Sequence, residues 1–190
     1  VWTIGSVALQ FLVAMAGGKL FFTLVLTMLT SLVLGMGVPT TANYVITSTI
    51  AAPAVIMILN HLSGYPFPPD SAAVILCAHM FVFYFGIMAD LTPPVALAAF
   101  AGAAIAKSDP IKTGVQATKL AIAAFLIPYI FVYNPEMLLF GIHEHPVEAT
   151  FMVITAVIGI VAVAIGIEGY FLRLANWLER ILAIAGGILL

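Results

Sequence analysis

The strongest structural constraint in the chain is a short polar turn set between two apolar segments. The turn is Gly35-Met36-Gly37-Val38-Pro39-Thr40-Thr41-Ala42-Asn43, and residues 20–34 and 44–59 on either side carry no charge. Charged residues make up 7% of the chain and the mean hydropathy is +1.21, whereas soluble domains carry about 25% charge. The flanking segments therefore belong in a lipid bilayer. Irregular backbone at that depth is tolerated only where it is buried in protein or lines a polar cavity.

A second interruption, Ala89-Asp90-Leu91-Thr92-Pro93-Pro94, divides another apolar run. Residues 95–106 after it form an alanine-rich helix of about 18 Å, at ~1.5 Å per residue, which is too short to cross a bilayer alone. We therefore predict that residues 71–106 make one crossing from two half-helices. Two broken helices in one membrane chain point to the ion and substrate site of a transporter.

The fold class predicted is an all-α integral membrane protein, because the apolar runs are continuous rather than alternating. It is a polytopic helical bundle with one re-entrant-type hairpin (20–59) and one discontinuous helix (71–106). Residues 1–19 form a membrane helix before the hairpin, and residues 107–168 form further membrane helices. Residues 169–190 are predicted as an amphipathic interfacial helix and the start of a truncated apolar segment, as in a fragment of a longer protein. Its apolar side carries Phe171, Leu174, Leu178, Ile181 and Leu182.

The basic residues predict the orientation of the chain. Of the six basic residues, only Lys19 is predicted on the outer side of the membrane, together with the 60–70 loop. The other five mark the cytoplasmic side, and they are Lys107, Lys112, Lys119, Arg173 and Arg180. The net charge of −2 and the lack of a basic tract give no indication of nucleic-acid binding.

Both breaks offer the oxygen ligands that a small hard cation such as Na⁺ prefers. In the first, the glycines free the backbone and the hydroxyl and amide side chains supply oxygens. The helix that begins near Thr41 points its positive end at the same spot, which favours an anionic group. In the second, Asp90 is a carboxylate inside an apolar run and needs a cation partner. The predicted cation ligands are Gly35, Gly37, Thr40, Thr41, Asn43, Asp90 and Thr92.

Other interpretations of these residues stay open at this point. Each break is also compatible with a simple kink or loop, and Asp90 would lie at a membrane surface if residues 71–88 span alone. His79 fits a packing role, and His143-Glu144-His145 fits a solvated loop better than a metal site. No nucleophile–base pair, phosphate loop or metal-hydrolase motif is present. We therefore predict no enzyme activity and no cofactor beyond the coupling ion.

Two motifs resemble those of a known family. Leu34–Ala42 and Phe85–Leu97 resemble the second hairpin and second discontinuous helix of tripartite ATP-independent periplasmic (TRAP) transporters. More narrowly, they resemble the fused permeases that work with TAXI-type binding proteins, and Ala103–Ala106 and Asp109–Gly114 fit that subfamily too. The likeness covers roughly residues 1–140. The tail resembles the C-terminal extension of the subfamily more loosely.

The resemblance implies a permease in a bacterial or archaeal cytoplasmic (inner) membrane that imports small organic anions, typically carboxylates. Import would be driven by an ion gradient and would need an extracytoplasmic solute-binding protein. The implied elevator mechanism moves residues 20–106 against a scaffold that includes 113–133. This chain would supply the second of two inverted repeats, so its partners would include the first repeat and the small-subunit helices. The predicted substrate contacts are Pro39, Thr41, Asn43, Thr92, Pro93 and Pro94.

One difference from the family pattern affects the coupling ion. Many large TRAP subunits carry an Asp in the tip motif where this chain has Val38-Pro39-Thr40, and the acidic residue here is Asp90 in the second break. Na⁺ is the predicted coupling ion, and a buried carboxylate leaves H⁺ open. Two alternative functions also remain. They are a divalent-anion symporter without a binding protein and a membrane scaffold subunit that transports nothing.

Overall fold

The structure, a computed structural model, describes residues 13–138 and 146–189, and these residues are almost entirely helical. Among these described residues, three helical stretches are long and apolar enough to cross a membrane: Thr40–His61, Pro110–Tyr133 and Val147–Glu168. The prediction of a helical membrane bundle is confirmed. Most of the predicted helix 1–19 and the segment His143-Glu144-His145 lie outside the described residues.

The first break joins two helices into a hairpin, as predicted. Helix α1 (Leu20–Gly35) is followed by a turn in which Gly37 has φ 74°, a conformation that glycine adopts without strain. The returning arm consists of α2 (Thr40–Ile50) and α3 (Ala52–His61). The two are separated by a kink at Ala51, because Pro53 has no N–H to continue the helical ladder.

The second break also lies where the sequence predicts it. Helix α4 (Ala72–Met88) begins after Ser71, whose hydroxyl accepts a hydrogen bond from the Val74 N–H. The chain then turns through a cis Pro93–Pro94 peptide, and α5 (Leu97–Ala106) starts after Ala96, which has φ 39°.

The next crossing is one nearly continuous helix. Helix α6 (Pro110–Ala121) is capped by the Asp109 carboxylate, which accepts from the Lys112 N–H at 2.9 Å. It continues through a 3-10 turn (Ile122–Phe125) into α7 (Leu126–Tyr133), and a second 3-10 turn (Pro135–Leu138) follows.

One hydrophobic core joins the hairpin, α4 and α7. Phe81 and Phe85 are fully buried at its centre, Val132 of α7 belongs to the same cluster, and Tyr129 packs edge-on against Phe85. The loop residue Tyr65 donates from its hydroxyl to the Val132 carbonyl at 3.1 Å, and burial raises the pKa of that hydroxyl. This core therefore contains residues from both sides of the predicted boundary at residue 107.

The C-terminal part differs from the predicted amphipathic helix. Helix α8 (Pro146–Glu168) ends at Gly169, and the strands β1 (Tyr170–Phe171) and β2 (Arg173–Leu174) form a two-residue antiparallel ladder. Helix α9 (Trp177–Leu189) then packs back antiparallel along α8. The prediction of a helix through 171–174 was wrong, because Gly169 at φ 73° ends α8 and the chain reverses there.

The α8–α9 pair is held by close backbone contact and by one arginine. A Cβ on Gly187 would lie 2.5 Å from the Gly159 carbonyl oxygen, so the two helices touch at glycine. The Arg180 guanidinium donates to the carbonyls of Gly166 and Ile167, at 2.9 and 2.8 Å. These carbonyls lie in the last turn of α8, where no helical N–H is available to them. These residues form a helical hairpin.

Candidate functional site

The structure brings the two breaks together. The side-chain amide of Asn43, just after the hairpin tip, donates to the Gly86 carbonyl of α4 at 2.8 Å. A Cβ on Gly37 in the tip would lie 3.7 Å from Val95 in the second break. The tip and the broken helix therefore form one junction, built from residues about 50 positions apart in sequence.

Two glycines make this close approach sterically feasible. A Cβ on Gly35 would lie 2.5 Å from Asn43 Nδ2 and 2.8 Å from the Cβ of Ala89. A Cβ on Gly86 would lie 2.8 Å from the same Asn43 nitrogen. Asn43 thus occupies the space that side chains on Gly35 and Gly86 would fill, and its orientation is fixed by its bond to Gly86.

Two buried oxygens at the junction have no hydrogen-bond partner within the described residues. They are Asn43 Oδ1, in a side chain that is 1% exposed, and Asp90 Oδ1. Apart from Asp70 in the loop before α4, Asp90 is the only charged residue between positions 20 and 106. A buried acceptor without a partner is costly, and a buried carboxylate is more so. A cation bound by either oxygen would supply its missing partner.

The backbone of the second break is arranged around Asp90. Its carbonyl accepts from the Ala98 N–H at 3.1 Å, so the N-terminus of α5 folds back onto the break. Thr92 is 8% exposed, and its hydroxyl donates to the Ala89 carbonyl at 3.3 Å. Because that bond uses the hydroxyl proton, the oxygen lone pairs of Thr92 remain available to a cation.

The structure does not draw every predicted residue into the junction. Pro39, Thr40 and Thr41 are exposed at the start of α2, and Pro94 is exposed in the second break. Pro93 lies against α6, where a Cβ on Gly114 would be 3.4 Å from its ring. Of the predicted set, the structure therefore groups Gly35, Gly37, Asn43, Asp90 and Thr92 most closely.

Sequence reasoning missed two contributors to the junction. The Gly86 carbonyl accepts the Asn43 bond; Gly86 belongs to the Phe85–Leu97 motif, but it has no side chain that would mark it as a site residue. Thr118 of α6 donates to the Leu91 carbonyl at 3.1 Å and also to the Gly114 carbonyl of its own helix at 2.9 Å. The Thr118 bond is a long-range contact, so no local pattern announces it.

His79 also follows its predicted role. Its Nδ1 is 2.9 Å from the Tyr44 hydroxyl, so the ring is hydrogen-bonded between α2 and α4. Within the described ranges, no group of three or more His, Cys, Asp or Glu side chains is placed to hold a metal ion.

An open groove of about 1020 Å³ lies elsewhere, between α7, α8 and α9. Its walls include Leu126, Phe151 and Gly187. None of the predicted site residues lines it, so the groove is not part of the candidate site.

Fold and site together define a class: a helical membrane protein in which a polar hairpin tip meets a broken helix. The sequence model of the family described as "Tripartite ATP-independent periplasmic transporter, DctM component" matches residues 3–145. Since the match covers well over half of the chain, the protein belongs to this family. The match ends where α8 begins. No curated protein and no solved structure gives a significant match to the chain.

Proposed function

We propose that this chain forms the second half of the ion and substrate site of a TRAP permease. The permease imports small organic anions, carboxylates above all, with Na⁺ as the coupling ion and an extracytoplasmic binding protein as the donor of substrate. It acts in the cytoplasmic membrane of a bacterium or archaeon by an elevator movement. The sequence motifs favour the subfamily that works with TAXI-type binding proteins.

The observation that carries this proposal is the pair of unpartnered oxygens, Asn43 Oδ1 and Asp90 Oδ1, at the junction of the two breaks. Amide, hydroxyl and carboxylate oxygens are hard ligands that suit Na⁺. One carboxylate gives the site a single negative charge, which a monovalent cation neutralises. The turn at Gly37, where the backbone leaves the helix, adds carbonyl oxygens nearby.

The substrate is proposed to bind beside the cation. The N-termini of α2 and α5 both lie at the junction, and the positive end of a helix favours an anionic group. The exposed residues Pro39, Thr41 and Pro94 would contact the substrate from the open side of the tip. Because these residues are exposed while Asn43 is buried, we place the cation deeper than the substrate.

The test is substrate uptake into proteoliposomes that hold the full-length permease and its binding protein, under an imposed Na⁺ gradient. Asp90→Asn should abolish gradient-driven uptake, because it removes the only charge at the junction. The matched control is Asp70→Asn, which removes the same charge in the exposed loop. Asp70 has φ 55°, a conformation that Asn tolerates well, so the control should fold normally and keep uptake.

Three outcomes would contradict parts of the proposal. Full uptake by the Asp90→Asn variant would refute the cation site. Uptake that follows a proton gradient instead would refute Na⁺ as the coupling ion. Uptake without the binding protein would favour a divalent-anion symporter.

A further inference from the structure

We propose a second cation position inside the hairpin, one to two helical turns from the tip, lined by Ser31 and Thr27 of α1. The proposal rests on the cation coupling proposed above and adds a separate place for a cation. Its starting point is a stripe of small and hydroxyl-bearing residues at four-residue spacing: Thr23, Thr27, Ser31 and Gly35. That spacing puts them on one helix face, and all four are buried.

The hydroxyls of this stripe do not behave alike. Thr23 donates to the Lys19 carbonyl at 3.1 Å, and Thr30, on another face of α1, donates to the Leu26 carbonyl at 2.8 Å. This bond to the preceding turn is the usual arrangement for a threonine within a helix. Thr27 and Ser31 are fully buried, yet neither hydroxyl has a hydrogen-bond partner in the described part of the chain.

These two hydroxyls are as unusual as the oxygens of the main site. Among the described residues, four buried side-chain oxygens lack a partner, and the other two are those of Asn43 and Asp90. Buried polar groups are nearly always paired, and an unpaired one has a cost that calls for an explanation. A ligand between α1 and the facing arm would supply the missing partner.

The facing arm offers further oxygens at the same depth. Gly35 of α1 lies beside Asn43 of α2, and the two helices run antiparallel. One helical turn away from this pair, Ser31 should therefore lie near Thr47, and two turns away Thr27 should lie near Ala51. Thr47 is fully buried and its hydroxyl donates to the Asn43 carbonyl at 3.0 Å, which leaves its lone pairs free to contact a cation. At Ala51 the arm is kinked, because Pro53 has no N–H to continue the helical ladder.

The chemistry of this position selects a monovalent hard cation. All the available ligands are neutral hydroxyl and carbonyl oxygens, and residues 20–61 contain no Asp or Glu. A divalent ion would need carboxylates to offset its charge in a buried place. Na⁺ matches the ligand type, and its single charge is the smallest that a cation bound by neutral oxygens has to carry into a buried place.

The test is a Na⁺ titration of thermal stability on the purified full-length permease, with K⁺ replacing Na⁺ to hold the ionic strength constant. The double variant Thr27→Val, Ser31→Ala removes both hydroxyls at nearly constant volume. We expect its half-maximal Na⁺ concentration to rise by about tenfold or more, the effect of losing contacts to a charged ligand. In K⁺ alone the double variant should melt no lower than the wild type, because two unpartnered hydroxyls are gone.

Two further variants make the result specific. Thr30→Val is the matched control, since it removes a hydroxyl of the same helix that is already bonded, and it should keep the wild-type Na⁺ response. Thr27→Ser retains the oxygen and should also keep it. If the double variant does not fold, Ser31→Ala alone, which removes one oxygen, carries the same readout.

An unchanged Na⁺ response in the folded double variant overturns the proposal, as does a wild type that Na⁺ does not stabilise. Asp90→Asn, titrated in parallel, separates this proposal from the proposed function. A response that Asp90→Asn leaves intact but the double variant weakens supports the hairpin position and contradicts the site at the junction. The reverse pattern supports the junction alone.

Discussion

Adding one methyl group at Gly35 should push the hairpin tip and the second break apart. Gly35 ends α1, directly beside the Asn43 side chain and the start of the second break. A Cβ added there would meet Asn43 Nδ2 at 2.5 Å, the Ala89 Cβ at 2.8 Å and the Gly86 carbonyl oxygen at 3.1 Å. Two of these three atoms belong to α4 or its end, so a rotation of the Asn43 side chain alone does not make room.

The expected cost of Gly35→Ala follows from these contacts. Inserting a methyl group into a closely packed site costs about 1–3 kcal/mol, because the neighbouring backbone has to move. Moving the tip away from α4 also lengthens the bond from Asn43 to Gly86, which is worth about 1 kcal/mol. The gain in helix propensity from Gly to Ala, about 0.5–1 kcal/mol, offsets part of this cost. We therefore expect a net destabilisation of about 1–3 kcal/mol.

The assay combines thermal unfolding of the full-length permease with a Na⁺ titration of the same samples. The matched control is Gly102→Ala in α5, where an added Cβ has no atom within 4 Å. The control should gain slightly in stability and keep its Na⁺ response, whereas Gly35→Ala should lose stability and need more Na⁺. If Gly35→Ala behaved like the control, the close approach of tip and break would not exist as described.

Two other substitutions test the contacts around the junction and at the end of the chain. Thr118→Val removes the bond to the Leu91 carbonyl and should lower the free energy of unfolding by about 1 kcal/mol. The control Thr49→Val, on an exposed face, should change that free energy by less than about 0.5 kcal/mol. Equal effects of the two variants would show that the long-range bond contributes nothing. Arg180→Gln removes a charged cap from the last carbonyls of α8 and should lower the free energy of unfolding, measured by thermal unfolding, by about 1–3 kcal/mol. The control Arg173→Gln breaks only an exposed ion pair and should lower it by under about 1 kcal/mol. The opposite order would contradict the capping role.

The elements that the sequence predicts well are those set by local chemistry. Both breaks lie at their predicted positions, because Gly37 adopts the positive φ of the turn without strain and the Pro93-Pro94 pair lacks the N–H groups that would continue a helix. The long apolar stretches form membrane-length helices for a similar reason, since their composition leaves the backbone no partner but itself in lipid.

The contact of the hairpin tip with α4 depends on tertiary packing, so the sequence alone does not predict it. Thr40, Thr41 and Asn43 are equally plausible ligands in the sequence, yet only Asn43 faces α4, because helical geometry turns the two threonines to the open side. Gly86 has no functional signature until Asn43 is seen against it. Apolar residues at 171 and 174 fit helical spacing by coincidence, since two positions cannot distinguish a helix turn from a tight reversal after a glycine.

The packing also bears on which residues move together in the proposed elevator. A sliding boundary should be crossed by few specific contacts, yet the Thr118 hydroxyl bonds to the second break and Gly114 packs against Pro93 across the boundary at 107. Val132 lies in the same core as the hairpin, so separating 110–133 from 20–106 would expose that core as well. The α8–α9 hairpin is held largely by its own glycine contacts and begins where the family match ends. In this structure residues 110–133 therefore pack with residues 20–106 around one core, so any movement between the two sets has to break these contacts.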